Sequence, residues 1–249
     1  MTNAENVTLN YSLNSDRGLE GKLDPLPGLY IYGTSEGLVN VGGSSIPYGR
    51  VVTYNETTYA GGVYLPTATN QTIAGFSFYQ ASYQRDAVIN GVVGIPADYP
   101  VELLRKNAIL LVVPEVNISK GASLFYRCIS KGTPATYDGL GRIRNDADNL
   151  TITNVALTSN VATITVTAHG LVTGQVVTIS GLTTSALNGT YTVTGTPTAN
   201  TFTFAKTNAN ISSTADSGVI ARAAALSNVR LIEDAVAGTP CKIVVDLPL

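Results

Sequence analysis

The chain has 249 residues, a net charge of −2 and a charged fraction of 13%. A chain of this length buries roughly 70–75% of its unfolded surface, so it can form a core without disulfides or metals. The charged share is about half the usual value, and no cluster of Lys or Arg supplies the basic stripe that nucleic acids require. These features exclude a nucleic-acid partner.

The N-terminus predicts no targeting signal. Residues 1–14 are polar and lack the positively charged region and apolar run of a signal peptide. The longest apolar run, residues 108–114, is too short to span a bilayer. We therefore expect a protein made in the cytoplasm, with no membrane partner.

Residues 1–28 are expected to form an extended N-terminal arm. The segment is polar and is interrupted by glycine and proline at Gly18, Gly21, Pro25, Pro27 and Gly28. Residues of these two types at this density stop helices and strands alike. Two interpretations stay open: a frayed terminus, or an arm that becomes ordered on a neighbouring molecule.

Residues 29–113 alternate short apolar runs with turn signals. Glycine pairs separate runs of four to six residues, a pattern typical of a sandwich or barrel. Phe76 and Phe78 alternate with Ser77, as in a half-buried strand. Residues 98–106 predict one or two turns of helix capped by Asp98, and residues 108–113 predict an apolar strand.

The composition changes sharply after Asp148. Between residues 149 and 221 only Lys206 and Asp216 are charged, and 19 of the 31 threonines lie in this stretch. Apolar residues alternate with threonines at 162–167, 177–179, 191–194 and 201–204, and this alternation indicates five or six strands. We expect residues 149–222, called the insert from here on, to form a small Ig-like β-sandwich or open barrel.

The flanking segments, residues 29–148 plus 223–249, are expected to form one core domain. Strands predicted at residues 229–233 and 242–247 would close it after the insert. The fold class is therefore all-β, with a β-barrel-like or sandwich core domain that carries the insert.

The sequence offers no set of residues suited to catalysis. His169 is the single histidine, and we interpret it as a turn residue bonded to backbone. Cys128 and Cys241 lie in apolar strands and are expected to be buried, unpaired packing residues. Residues 145–149 resemble a fragment of a calcium loop but lack its glycine and distal Glu, so a solvated linker is favoured. We expect no enzyme activity, no metal and no cofactor.

Tyrosine is the clearest sign of an interaction surface. The chain has 13 tyrosines, and six of them crowd one region. Tyrosine combines a rigid apolar body with a polar tip and is enriched at interfaces, although it is also a good strand former. The interface candidates, with ordinary strand packing as the alternative, are Tyr30, Tyr32, Tyr48, Arg50, Tyr54, Tyr59 and Tyr64.

Several stretches resemble known phage proteins. Residues 99–113 (YPVELLRKNAILLVV), 121–127 (GASLFYR) and 226–247 (LSNVRLIEDAVAGTPCKIVVDL) resemble the head decoration, or structural cement, proteins of tailed phages. Asn107 departs from the pattern, because a glycine is usual there. Residues 168–181 (AHGLVTGQVVTISG), 187–193 (LNGTYTV) and 201–204 (TFTF) of the insert resemble a β-module of phage head and tail proteins.

The resemblance implies a viral structural protein. A member of this family would be a capsid decoration protein, a homotrimer seated on the outer capsid surface and bound to the major capsid protein, without catalytic residues. It would be synthesised in the cytoplasm of the host bacterium. The alternatives are a tail or baseplate component, since the β-module also occurs there, and a glycan-binding surface adhesin.

Overall fold

The computed structural model describes residues 32–33, 37–55, 61–79, 87–89, 92–130 and 139–247; it does not describe the side chains of residues 32–33, 87–89, 92–93 and 107. The predicted N-terminal arm lies outside these ranges. Regular structure in the described residues is strand apart from a 3-10 turn at Ser185–Leu187, which confirms the all-β prediction. None of the helical structure described here is long and apolar enough to cross a membrane.

The strands follow one another closely along the chain. The first eleven are β1 (Tyr32–Gly33), β2 (Val39–Asn40), β3 (Ile46–Pro47), β4 (Val51–Tyr54), β5 (Gly62–Tyr64), β6 (Ile73–Ser77), β7 (Ala87–Ile89), β8 (Val92–Ile95), β9 (Leu103–Val112), β10 (Leu124–Arg127) and β11 (Ile143–Arg144). The others are β12 (Leu150–Thr158), β13 (Val161–Val166), β14 (Val176–Ser180), β15 (Gly189–Thr192), β16 (Gly195–Thr198), β17 (Thr201–Ala205), β18 (Ile211–Ala215), β19 (Val219–Ile220), β20 (Ala223–Leu226), β21 (Val229–Leu231) and β22 (Cys241–Asp246).

The flanking segments form three sheets. The main sheet has the order β2-β5-β4-β6-β9-β22-β21, with β1 also paired to β9. Two three-stranded sheets, β3-β8-β7 and β11-β10-β20, accompany it. The last strand, β22, lies antiparallel beside β9, with Ile243 opposite Leu110, and its other side pairs with β21, so the C-terminal segment forms one end of the main sheet.

The main sheet is buried on both faces. Successive side chains of a strand point to opposite faces of the sheet, and in the main sheet the side chains on each face pack into an apolar cluster. Val51 and Leu104 belong to one apolar cluster, which also contains Tyr126 of the β11-β10-β20 sheet. Their neighbours Val52 and Leu103 belong to a second cluster, which contains Ile46 of β3. The three sheets therefore stack as layers, with the main sheet in the middle.

The strands of the insert pair among themselves. The pairings run β14–β15, β16–β17, β17–β13, β13–β12, β12–β19 and β19–β14. In order, these strands run β15-β14-β19-β12-β13-β17-β16, and β18 pairs with β12 off this path. The structure has eight strands here, where the sequence predicted five or six. The Ig-like form and the domain boundaries stay predictions.

The interior of the insert follows the predicted alternation. Ala162, Ile164 and Val166 of β13 are buried, whereas the threonines between them face outward. The aromatic pair of β17, Phe202 and Phe204, is fully buried. The apolar cluster continues from these residues through Leu150 into the layers of the flanking segments, so one core extends across the junction.

The helix predicted at residues 98–106 is wrong. Asp98 has a left-handed φ of 62°, and the N–H of Val101 donates to the carbonyl of Leu38 at 2.8 Å. Residues 98–101 therefore line the edge of β2, and β9 already begins at Leu103. The neighbours Leu103 and Leu104 are buried in two different apolar clusters. Successive residues of a strand point to opposite faces, whereas a helix with one apolar face would bury both in the same cluster.

Candidate functional site

Four of the seven interface candidates have described side chains, and they do not form one exposed patch. Tyr54 and Tyr64 lie on paired strands, but Tyr54 is opposite Val63 whereas Tyr64 is opposite Thr53. Residues opposite each other share a face of the sheet, so the two tyrosines point to opposite faces. Arg50 is only 5% exposed.

Each of the three candidate tyrosines with a described side chain is half-buried and has a partner within the chain. Tyr48 meets the ring of Tyr79 edge-on at 5.4 Å between centroids. The hydroxyl of Tyr54 accepts a hydrogen bond from Nη1 of Arg105 at 3.3 Å. The hydroxyl of Tyr64 accepts one from Nε2 of Gln71. These contacts are those of strand packing, the alternative that the sequence left open.

The other three candidates have no described side chain. Tyr30 and Tyr59 lie outside the described residues, and Tyr32 is described only through its backbone, which pairs with Lys106 of β9. The assignment of all seven residues to an interface stays a prediction.

The densest polar feature is a set of six charged side chains at the junction with the insert. We call it the arginine network; it comprises Arg127, Arg144, Arg222, Glu115, Asp146 and Asp148. Asp148 lies two residues before β12, and Arg222 lies two residues after β19. The network therefore connects both ends of the insert to the β11-β10-β20 sheet.

Arg127 and Glu115 form the centre of the network. Nε and Nη2 of Arg127 donate to the two oxygens of Glu115 at 2.6 and 2.8 Å, a bidentate pair. The side chain of Arg127 is fully buried, and that of Glu115 is 4% exposed. Nη1 of Arg144 donates to the same carboxylate at 2.8 Å. Both oxygens of Glu115 are thus used by arginines.

Asp148 joins the other arginines. Its Oδ2 lies 2.9 Å from Nη1 of Arg127 and 2.7 Å from Nη2 of Arg222. Both are ion pairs whose angles do not meet the geometry of a hydrogen bond. Its Oδ1 lies 3.3 Å from Nη2 of Arg144. Burial alone would raise the pKa of Asp148, but the three guanidinium groups outweigh burial and hold that pKa below its usual value. Asp148 is therefore a carboxylate in the folded protein.

The backbone fixes these side chains in place. The N–H of Glu115 donates to the carbonyl of Ile143, and that of Arg222 donates to the carbonyl of Ala147 at 3.1 Å. The carbonyl of Arg222 accepts from Cys128 at 2.9 Å. Three arginines face three carboxylates, so the charges of the six network residues balance.

The predicted solvated linker at residues 145–149 is anchored by this network. The side chain of Asp146 is 61% exposed, yet its Oδ1 accepts from Nε of Arg144 at 2.7 Å. Nδ2 of Asn145 donates to the carbonyl of Asn117 at 3.1 Å. Among the described residues no group of three or more His, Cys, Asp or Glu side chains could hold a metal ion.

The two charges between residues 149 and 221 are both used within the chain. The carboxylate of Asp216 accepts from the N–H groups of Thr183 and Thr184, each at 2.9 Å, and from that of Ser217 at 2.8 Å. Burial opposes the charged form, but these bonds hold the pKa of Asp216 well below its usual range. Lys206 lies 5.4 Å above the ring of Tyr191. The surface of the insert is therefore made of hydroxyl, amide and methyl groups.

His169 has the structural role that the sequence predicted. The side chain is buried, and its Nδ1 accepts from the N–H of Leu171 at 2.9 Å. Its Nε2 lies 3.1 Å from the carbonyl oxygen of Thr198 and 3.2 Å from that of Thr201, so Nε2 carries the proton. The ring thereby joins the turn after β13 to the β16–β17 hairpin.

The cysteines are buried and unpaired, as the sequence predicted. Burial raises the pKa of the Cys128 thiol to about 12, so that thiol stays protonated. Sγ of Cys128 donates to the carbonyl of Tyr126 at 3.4 Å, and Sγ of Cys241 to that of Val112 at 3.5 Å. Both behave as small apolar packing residues.

Comparison with known families gives one match. The family described as "Structural cement protein (E217 gp24/Pam3 gp6)" matches residues 7–172, two thirds of the chain. The matched range contains all seven interface candidates and five of the six members of the arginine network, and it ends after β13. No curated protein matched the chain.

Proposed function

We propose that this chain, which belongs to the phage structural cement protein family, binds the assembled phage head and stabilises it. Membership makes the chain a structural protein of a phage capsid. The single observation that carries the proposal is the family match over two thirds of the chain.

The physical basis of the proposed function is mass action. A protein that binds only the assembled lattice, and not its free subunits, stabilises the lattice by a free energy that grows with its concentration relative to its Kd. The layered architecture of the described residues supports such a role. Its three stacked sheets and a buried, charge-balanced network give it a fixed surface, so little conformational entropy is lost on binding.

The proposed partner is the major capsid protein, and the proposed location is the outer surface of the capsid. We place the flanking segments, with the N-terminal arm and the tyrosine-rich strands, against the shell. The insert would project outward, because its surface lacks the charged groups that hold a rim contact in register. A homotrimer is proposed because copies would sit where capsid subunits meet.

The proposed role is non-enzymatic, without a cofactor, in a protein made in the cytoplasm of the host bacterium. The described potential acid–base groups support this proposal. His169 and Cys128 are buried in backbone contacts, and Glu115 and Asp148 are neutralised by arginines. A general acid or base must reach a substrate, and these groups are occupied within the chain.

Co-sedimentation tests the proposed function. Purified full-length protein is mixed either with heads that lack it or with unassembled major capsid protein, and each mixture is centrifuged. We expect saturable binding to heads and none to free subunits. Failure to bind heads, or equal binding to free subunits, would overturn the proposal.

A further inference from the structure

Within the part of the chain that the structure describes, the edge strand β18 of the insert pairs with β12 alone. The pairing is antiparallel, with Asn154 opposite Ala215 and Leu157 opposite Ile211 and one register shift between them. Ser212, Ser213, Thr214 and Ala215 are exposed. In an antiparallel pair, alternate residues direct their N–H and C=O groups away from the partner strand. The outer side of β18 therefore presents unpaired backbone groups to solvent.

Two other edge strands carry features that block pairing. The edge of the main sheet, β21, is three residues long and has the exposed Arg230 in its middle. In the insert, β16 contains the exposed Pro197. Charged residues, prolines and short lengths are the usual means by which sheet edges avoid association. β18, with the sequence ISSTA, has neither a charge nor a proline.

The absence of charge indicates the kind of partner. In a contact between two identical strands about a two-fold axis, residue i faces residue j and residue j faces residue i, so charges of one sign on the strand would lie close to their own copies across the pair. The nearest charges in sequence are Lys206, which lies over Tyr191, and Asp216, whose carboxylate is bonded to Thr183 and Thr184. Serine and threonine hydroxyls can instead bond across such a strand pair.

We propose that β18 pairs antiparallel with β18 of a second copy of this chain, joining two inserts through one continuous sheet. Only the biological role of this pairing rests on the proposed function. On a head, many copies of the chain are held close together, and this high effective concentration would favour a weak pair of five-residue strands. Neighbouring copies would then be linked to each other as well as to the shell.

A charge-swap experiment tests the pairing in solution, without heads. One variant carries Ser212→Lys and Thr214→Lys, a second carries Ser212→Glu and Thr214→Glu, and the control carries Thr173→Lys and Thr192→Lys at exposed sites of the insert. The four proteins are compared by sedimentation over a concentration series. We expect concentration-dependent association in the wild type and the control, and its loss in each β18 variant.

Mixing the two β18 variants decides the question. We expect the Lys and Glu variants to associate with each other, because opposite charges now face across the pair. Identical sedimentation of wild type and β18 variants, or no association on mixing, would overturn the inference. Since no head is present, the outcome is independent of whether the protein binds heads.

Discussion

At the scale of single residues, the arginine network is the feature with the largest energetic consequence. Burying a charge costs several kcal/mol unless it is paired, and removing one partner leaves the other uncompensated. Arg127 is fully buried, and its nearest carboxylate is Glu115. The pair holds the end of β10 against the segment that follows β9.

We predict that Glu115→Gln destabilises the protein by roughly 3–5 kcal/mol, because it leaves Arg127 and Arg144 without their shared carboxylate. Urea unfolding of the purified full-length variant measures the change in free energy. Asp246→Asn, at an exposed carboxylate of β22, is the matched control and should change stability by less than about 0.5 kcal/mol. Similar values for the two variants would contradict the role of the network.

The same network predicts a loss of stability in acid. The pKa of folded Asp148 lies below the ordinary value of 3.8, so the unfolded state binds the proton more tightly. Its contribution to stability is therefore complete above that value and is lost as the pH falls through the folded pKa. The pKa of folded Asp216 is also lowered, so its protonation likewise reduces the stability of the folded protein in acid.

We expect Asp148→Asn to be less stable than the wild type near pH 7 and to lose less stability between about pH 5 and about pH 3. Measuring the free energy of unfolding of both proteins at a series of pH values gives the pH dependence of stability for each. Parallel curves for the two proteins would show that Asp148 does not carry the predicted charge effect.

Sequence reasoning at this scale succeeded for residues whose neighbours are local in sequence. The buried Cys128 and the turn residue His169 were predicted from the apolar strand or turn around each of them. The arginine network was missed because Glu115, Arg127 and Arg222 are far apart in the chain. The only available signal was that charges stop at Asp148 and resume at Arg222, on either side of the insert.

At the scale of elements, close backbone contacts hold the layers together. Gly141 has a φ of 77°, and a Cβ there would lie 2.5 Å from the carbonyl oxygen of Val51. Its N–H donates to the carbonyl of Arg127, and its carbonyl accepts from Val51, each at 2.9 Å. Gly141 therefore links β4 of the main sheet to β10 of the neighbouring sheet.

We predict that Gly141→Ala costs more than Gly121→Ala. Both glycines have left-handed backbone, at φ 77° and 81°, so both substitutions carry a strain of about 1–2 kcal/mol. A Cβ at Gly121 meets nothing within 4 Å, whereas at Gly141 the clash adds about 1–3 kcal/mol. Thermal unfolding of the two variants measures the difference, and equal melting temperatures would contradict the close approach.

The pattern of alternation predicted elements well where one face is buried. Ile164 and Val166 of the insert alternate with threonines, and the structure buries them as expected. The pattern failed at Leu103 and Leu104, since a strand buried on both faces has no alternation and resembles a short helix. The pairing of Val101 with Leu38, which decides the matter, is long-range.

At the scale of the whole molecule, the described residues form a stack of sheets joined to a threonine-rich insert with few charges. The apolar cluster and the arginine network both cross the junction, so the two parts share a core and a set of ion pairs. The fold class followed from composition and alternation. The proposed capsid-binding surface did not, because the candidate tyrosines with described side chains have the contacts of ordinary packing residues.

The central claim is that the protein stabilises an assembled head by binding it. The most direct measurement is the temperature at which DNA is released from heads that lack the protein, with and without added full-length chain. The account predicts release at a higher temperature as the added protein approaches saturation. An unchanged release temperature at saturating binding would contradict it.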